Sequence, residues 1–132
     1  MKKIFKEKFK RLGISIVYLF GSKATGRGNK LSDIDIGVLI KDLPLSGDTR
    51  VLYNALYKLF SELYPKSKLD IVFLQKSPLS LQYSALKDGK VLFEEDPILT
   101  VDYEQRVINQ YLDFRPVLDF FDQVGMQRYA QK

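Results

Sequence analysis

Apolar positions recur along this chain with two periods, and the switches between them predict helices and strands in turn. Ile4, Phe5, Phe9 and Leu12 fall at helical spacing among lysines, and Gly13 follows where a helix end favours glycine. The run "ISIVYLF" (14–20), rich in β-branched and aromatic residues, predicts a first strand. "DIDIGVLI" (33–40) predicts a second, with Ile34, Ile36, Val38 and Ile40 sharing one face. After the turn "LPLSGD", Val51, Leu52, Ala55, Leu56, Leu59, Phe60 and Leu63 mark an amphipathic helix over 46–63 that ends before Pro65. "KLDIVFL" (68–74) predicts a third strand, 78–87 a short helix closed by Asp88 and Gly89, and "KVLFEE" (90–95) a short fourth strand. From Pro97 onward the pattern is helical again, with Pro116 expected to kink or interrupt it. The fold class expected is α/β, a small mixed sheet flanked by helices.

Composition narrows the chemistry. With 132 residues, 45% hydrophobic and 13% aromatic, the chain is expected to form one domain over 1–132, with 97–132 a helical tail. There is no cysteine, which excludes a disulfide framework and a thiolate metal site and suits a reducing cytoplasm. There is no histidine either, so any catalysis must run on carboxylates, hydroxyls, Lys and Arg. The opening "MKKIFKEKFKRLG" interleaves lysines with apolar residues and does not read as a signal peptide. No later stretch approaches the ~20 apolar residues of a membrane span, so no membrane partner is expected. The net charge of +5 is spread along the whole chain, and would suit a small-molecule phosphate as well as nucleic acid.

The second predicted strand raises the chemical question, because Asp33 and Asp35 stand on alternate positions of an apolar run. Side chains two apart share a face, with Cα atoms roughly 6.5 Å apart, so the two carboxylates repel unless solvent or a cation lies between them. Gly21 and Ser22, at the end of the first strand, open a turn whose backbone N–H groups and hydroxyl could cradle phosphate oxygens. The pair is therefore a candidate to hold Mg²⁺ against a phosphate chain. Asp70, an acid in the otherwise apolar "LDIVFL", is the candidate third metal ligand and the group that accepts a proton from an attacking hydroxyl. Lys23, Arg27 and Lys30 could neutralise a triphosphate or simply be solvated, while Tyr53, Tyr57 and Tyr64 read as core or boundary residues.

Gly-Ser, ten intervening residues, Asp-Ile-Asp and a later-strand Asp together resemble the signature of the DNA polymerase β nucleotidyltransferase superfamily. The match runs over roughly 14–95, and in character the chain is similar to the minimal nucleotidyltransferase (MNT) antitoxins that accompany HEPN-domain toxins. The resemblance implies the nucleotidyltransferase fold. It also implies transfer of AMP from ATP, with two Mg²⁺ ions, to a tyrosine of the partner toxin. By that match Gly21 and Ser22 form the nucleotide-binding turn, Asp33 and Asp35 the metal pair, and Asp70 the third acid. Superfamily members that modify small molecules or RNA usually carry a second domain for the acceptor. The length here leaves no room for one, so the acceptor is expected on a partner protein, in a homodimer or hetero-oligomer, with no direct contact to nucleic acid. Two rivals remain: the same chemistry on an aminoglycoside-like molecule, and an antitoxin that acts by binding alone. In the tail, Tyr103, Val107, Ile108, Tyr111, Leu112, Phe114, Leu118, Phe120 and Phe121 exceed what one helix needs to dock on its own domain, so part of it is expected to form a binding surface.

Overall fold

The computed structural model describes residues 2–20, 33–43 and 49–130, and side chains as far as residue 116. In chain order the elements are α1 (Lys3–Arg11), β1 (Ile14–Phe20), β2 (Ile34–Ile40), α2 (Arg50–Leu63), β3 (Leu69–Phe73), α3 (Leu79–Asp88), β4 (Lys90–Glu94) and α4 (Pro97–Ala130). The helix ends follow local chemistry. Leu12 caps α1 and Gly13 takes φ 77°, the left-handed conformation in which a side chain would be strained. Gly89 caps α3 as expected.

The strands form one sheet in the order β3-β2-β1-β4. β1 runs antiparallel to β2 and to β4, whereas β2 and β3 are parallel, joined through α2, so the sheet is mixed as expected. Alternation along the strands divides the buried residues between two faces. Val17, Ile34, Ile36, Val38, Leu69 and Ile71 pack with Phe9 of α1 and with Leu56, Leu59 and Phe60 of α2. Phe9 lies between two other rings, with centroids 5.3 Å from Phe60 and 5.2 Å from Phe93. The opposite face holds Ile16 and Tyr18 against Leu74, Ala85 of α3, and Tyr103 and Val107 of α4.

Four boundaries differ from the pattern reading. Asp33 lies just before β2 rather than inside it. Leu74 leaves the strand for a 3-10 turn, Leu74–Lys76, which turns the chain into α3 and buries the leucine under the sheet. The described part of α2 begins at Arg50, and 46–48 lie outside the described residues. Pro116 does not interrupt α4, which runs through it as one helix. Tyr57 is exposed, while Tyr53 and Tyr64 are half-buried boundary residues. Among the described residues no helix is long and apolar enough to cross a membrane.

The start of α4 is fixed to the sheet by polar contacts as well as apolar ones. The Tyr18 hydroxyl donates to Glu104 Oε1 at 2.7 Å, and Tyr103 donates to Gln82 Oε1 at 2.9 Å. Burial, and then the neighbouring Glu104 carboxylate, push the Tyr18 phenol far above its ordinary range, so it stays a neutral donor. A hydrogen bond to a charged acceptor contributes about 1.5 kcal/mol or more. Tyr18→Phe should therefore lower the urea unfolding midpoint without changing the slope; an unchanged midpoint would show that this bond does not hold α4 down.

Candidate active site

The sheet register assembles what the linear sequence keeps apart. On β2, Asp35 has Phe20 of β1 as its partner on one side and Asp70 of β3 on the other. Neighbouring strands lie roughly 4.8 Å apart, so Asp35 and Asp70 project side by side from the face that carries α3 and α4. Asp33 precedes β2 by one residue and is exposed, as is Asp70, while Asp35 is half-buried. The odd positions Asp35, Gly37 and Leu39 share this face because the even positions fill the core on the other.

The electrostatics follow from that row. The Asp35 carboxyl titrates above its usual value of 3.8, first because burial disfavours its charge, then because Asp70 and Asp33 repel it. The sign for stability is definite. An acid with a raised folded pKa binds its proton more tightly in the native state, so folding is favoured at low pH. That advantage is lost as pH rises from 3.8 through the raised value. At neutral pH the ionised group is a net cost to the unliganded fold, of the kind that a bound cation offsets.

Placement of the expected site residues is uneven. Asp33, Asp35 and Asp70 are brought to one end of one face, Asp35 and Asp70 as direct register partners. No group of three acids close enough to hold a metal together is found among the described residues, so the pair and its flanking acid are not a closed cage. Oxygen donors of this kind still suit a hard cation such as Mg²⁺, which keeps several waters and needs only one or two carboxylates. Gly21 and Ser22, with Lys23, Arg27 and Lys30, lie outside the described residues. Two cavities bounded by described residues, about 300 Å³ between α1 and α2 and about 520 Å³ between the sheet and the start of α4, are lined by none of the three acids.

Two residues beside the row were not singled out from sequence. Phe20 is the partner of Asp35, and Gly37 follows Asp35 on the same face, with Leu74 and the Phe20 ring close above it. A glycine inside a strand pattern was the available signal, since it marks a close approach.

Comparisons agree with this geometry. The Polymerase beta nucleotidyltransferase family matches residues 1–98. A protein adenylyltransferase, MntA of Aphanizomenon flos-aquae (strain 2012/KM1/D3), is 33% identical over 104 residues, 72% of this chain and 67% of that protein. Among solved structures, a chain of a toxin–antitoxin complex with AMP-PNP superposes with a TM-score of 0.69 at 26% identity, covering 90% of this chain and 97% of that one. A tri-AMPylated Shewanella oneidensis HEPN toxin in complex with MNT antitoxin supplies a further fold match, with a TM-score of 0.63 at 24% identity over 94% of this chain and 98% of that one. The chain belongs to the polymerase β nucleotidyltransferase family, on the minimal-nucleotidyltransferase branch that MntA represents.

Proposed function

We propose that this nucleotidyltransferase is an antitoxin that transfers AMP from ATP to a tyrosine hydroxyl of a partner HEPN toxin and so neutralises it. The observation that carries the reading is the pairing of Asp35 with Asp70 across β2 and β3, on a core that belongs to this family. The substrate and acceptor classes are supported by the relatives, a protein adenylyltransferase and complexes of toxin with antitoxin, one with AMP-PNP and one with an AMPylated toxin.

In the reaction the tyrosine oxygen attacks the α-phosphorus of ATP, the bond to the bridging oxygen breaks, and pyrophosphate leaves with the electron pair. Asp70, exposed at the edge strand, is the group that takes the phenolic proton. Asp33 and Asp35 are the carboxylates that, with Asp70, would hold Mg²⁺. Bound there, the ion supplies neutralisation of phosphate charge and polarisation of the reacting oxygens. Gly21 and Ser22, which follow Phe20 in the chain, are assigned the phosphates, through backbone N–H groups and the hydroxyl. In α4, Leu112 and Phe114 are about half exposed just beyond the docked Tyr103 and Val107, and they are assigned to the toxin contact.

Neutralisation of the toxin by the purified chain should require Mg-ATP and should persist after the chain is removed, because the modification is covalent. Full inhibition in EDTA without ATP would instead favour an antitoxin acting by binding alone. Label from ATP appearing on an aminoglycoside with no partner present would favour the small-molecule enzyme.

A further inference from the structure

Phe20, the last residue of β1 and the register partner of Asp35, sits where two glycines leave room for it. At Gly37 an added Cβ would stand 2.9 Å from Leu74 Cδ2 and 3.2 Å from both Leu74 Cγ and Phe20 Cε1. At Gly89 it would stand 2.3 Å from the Ala85 carbonyl oxygen, 3.0 Å from that of Leu19 and 3.1 Å from Phe20 Cβ. Neither glycine has a positive φ, so space and not backbone conformation is what each supplies. The two differ in what surrounds them. Gly89 is crowded by backbone at the junction of α3 and β4, where a side chain would disturb the fold itself. Gly37 is crowded by side chains on the same face as Asp35 and two residues from it, where a methyl group would displace a ring and a leucine.

The geometry points to Phe20 as a positioning residue for the acid row, with Gly37 the residue that keeps its seat open. The ring edge lies over the β2 backbone at Gly37 against Leu74, while the Phe20 backbone pairs with Asp35. A shift of the ring is thereby passed to the strand position beside Asp35 and Asp70. It also reaches the end of β1, from which the chain proceeds to Gly21. The inference rests on the reading of this row as the site of nucleotidyl transfer. It adds that an apolar contact, and not only the carboxylates, sets the precision of the site.

The test is a double-mutant cycle of Gly37→Ala and Phe20→Leu, read by steady-state AMP transfer, thermal melting and amide NMR spectra of the unliganded protein. Gly37→Ala should unfold cooperatively yet lose roughly tenfold to a hundredfold in kcat/KM, mainly through KM for ATP, as expected for a misplacement of about an ångström. Its amide shifts should include Asp35 and Asp70. In the Phe20→Leu background, which lacks the ring edge that the methyl would strike, the Gly37→Ala penalty should shrink by at least about threefold, the coupling expected of touching groups. The seat is refuted if Gly37→Ala has wild-type kinetics, if the full penalty persists in Phe20→Leu, or if Asp35 and Asp70 do not shift. A wild-type chain without AMP transfer would overturn the enzymatic reading instead, and the amide shifts would still decide whether the seat governs the row.

Discussion

Replacing Asp33 and Asp35 together by Asn abolishes AMP transfer and leaves the fold standing. Both changes keep side-chain volume and remove charge, so the row loses its affinity for a divalent cation while packing is preserved. Cation stabilisation of phosphoryl-transfer charge amounts to several kcal/mol, which at about 1.4 kcal/mol per factor of ten predicts a loss of about a thousandfold or more. The stability change has the opposite sign. The Asp35 carboxyl is held above 3.8 by burial and by its two acidic neighbours, so the neutral variant should melt higher than the parent at pH 7 without ligand. The difference should narrow as the pH falls towards 3.8, where the parent gains its own proton. A double variant that labels the toxin at the parental rate rules out the row as the active site. One that melts well below the parent shows that the carboxylates hold the fold together instead.

Ending the chain before Asp113 separates the docked part of α4 from its projecting part, and should uncouple partner binding from nucleotide binding. Tyr103 and Val107 are buried against the sheet, and the Tyr111 ring stacks on Tyr83 of α3 at 3.9 Å with an interplanar angle of 6°. All three remain in the shortened protein. Phe114, half exposed, is removed with everything beyond it. Loss of one aromatic anchor from an interface commonly costs about 2 kcal/mol or more, so affinity for the HEPN toxin should fall well over tenfold. Binding of Mg-ATP should be unchanged, and modification should recover as toxin concentration is raised. Unchanged co-purification with the toxin, or loss of ATP binding along with it, would assign the segment to the fold.

The strands and most helix bounds were legible because burial on one face imposes a period that polar positions cannot hide. Ile34, Ile36, Val38 and Ile40 show this most clearly. Gly13 was legible for a local reason, the left-handed turn that ends α1. The Asp33 and Asp35 spacing could be read as paired carboxylates on one face, and Asp70 as an acid out of character with its strand. What could not be read was that Asp70 stands beside Asp35, because register between β2 and β3 is set by packing across α2 and not by either strand alone. The Tyr18 bond to Glu104 spans 86 residues and has no local trace. Leu74 looked like strand because a buried leucine satisfies either pattern, and its turn is fixed by the start of α3. Pro116 carries a local rule against helix, and the helix passes through it nonetheless.

The central claim is that the Asp35 and Asp70 row drives covalent transfer to a protein. Intact-protein mass spectrometry of the purified HEPN toxin, after incubation with this chain, ATP and Mg²⁺, tests it most directly. The account predicts a toxin heavier by whole adenylyl groups, located on tyrosine by peptide fragmentation, and an unmodified toxin when Asp70→Asn replaces the parent. A toxin that is fully neutralised yet unchanged in mass, or one modified equally by Asp70→Asn, would contradict it.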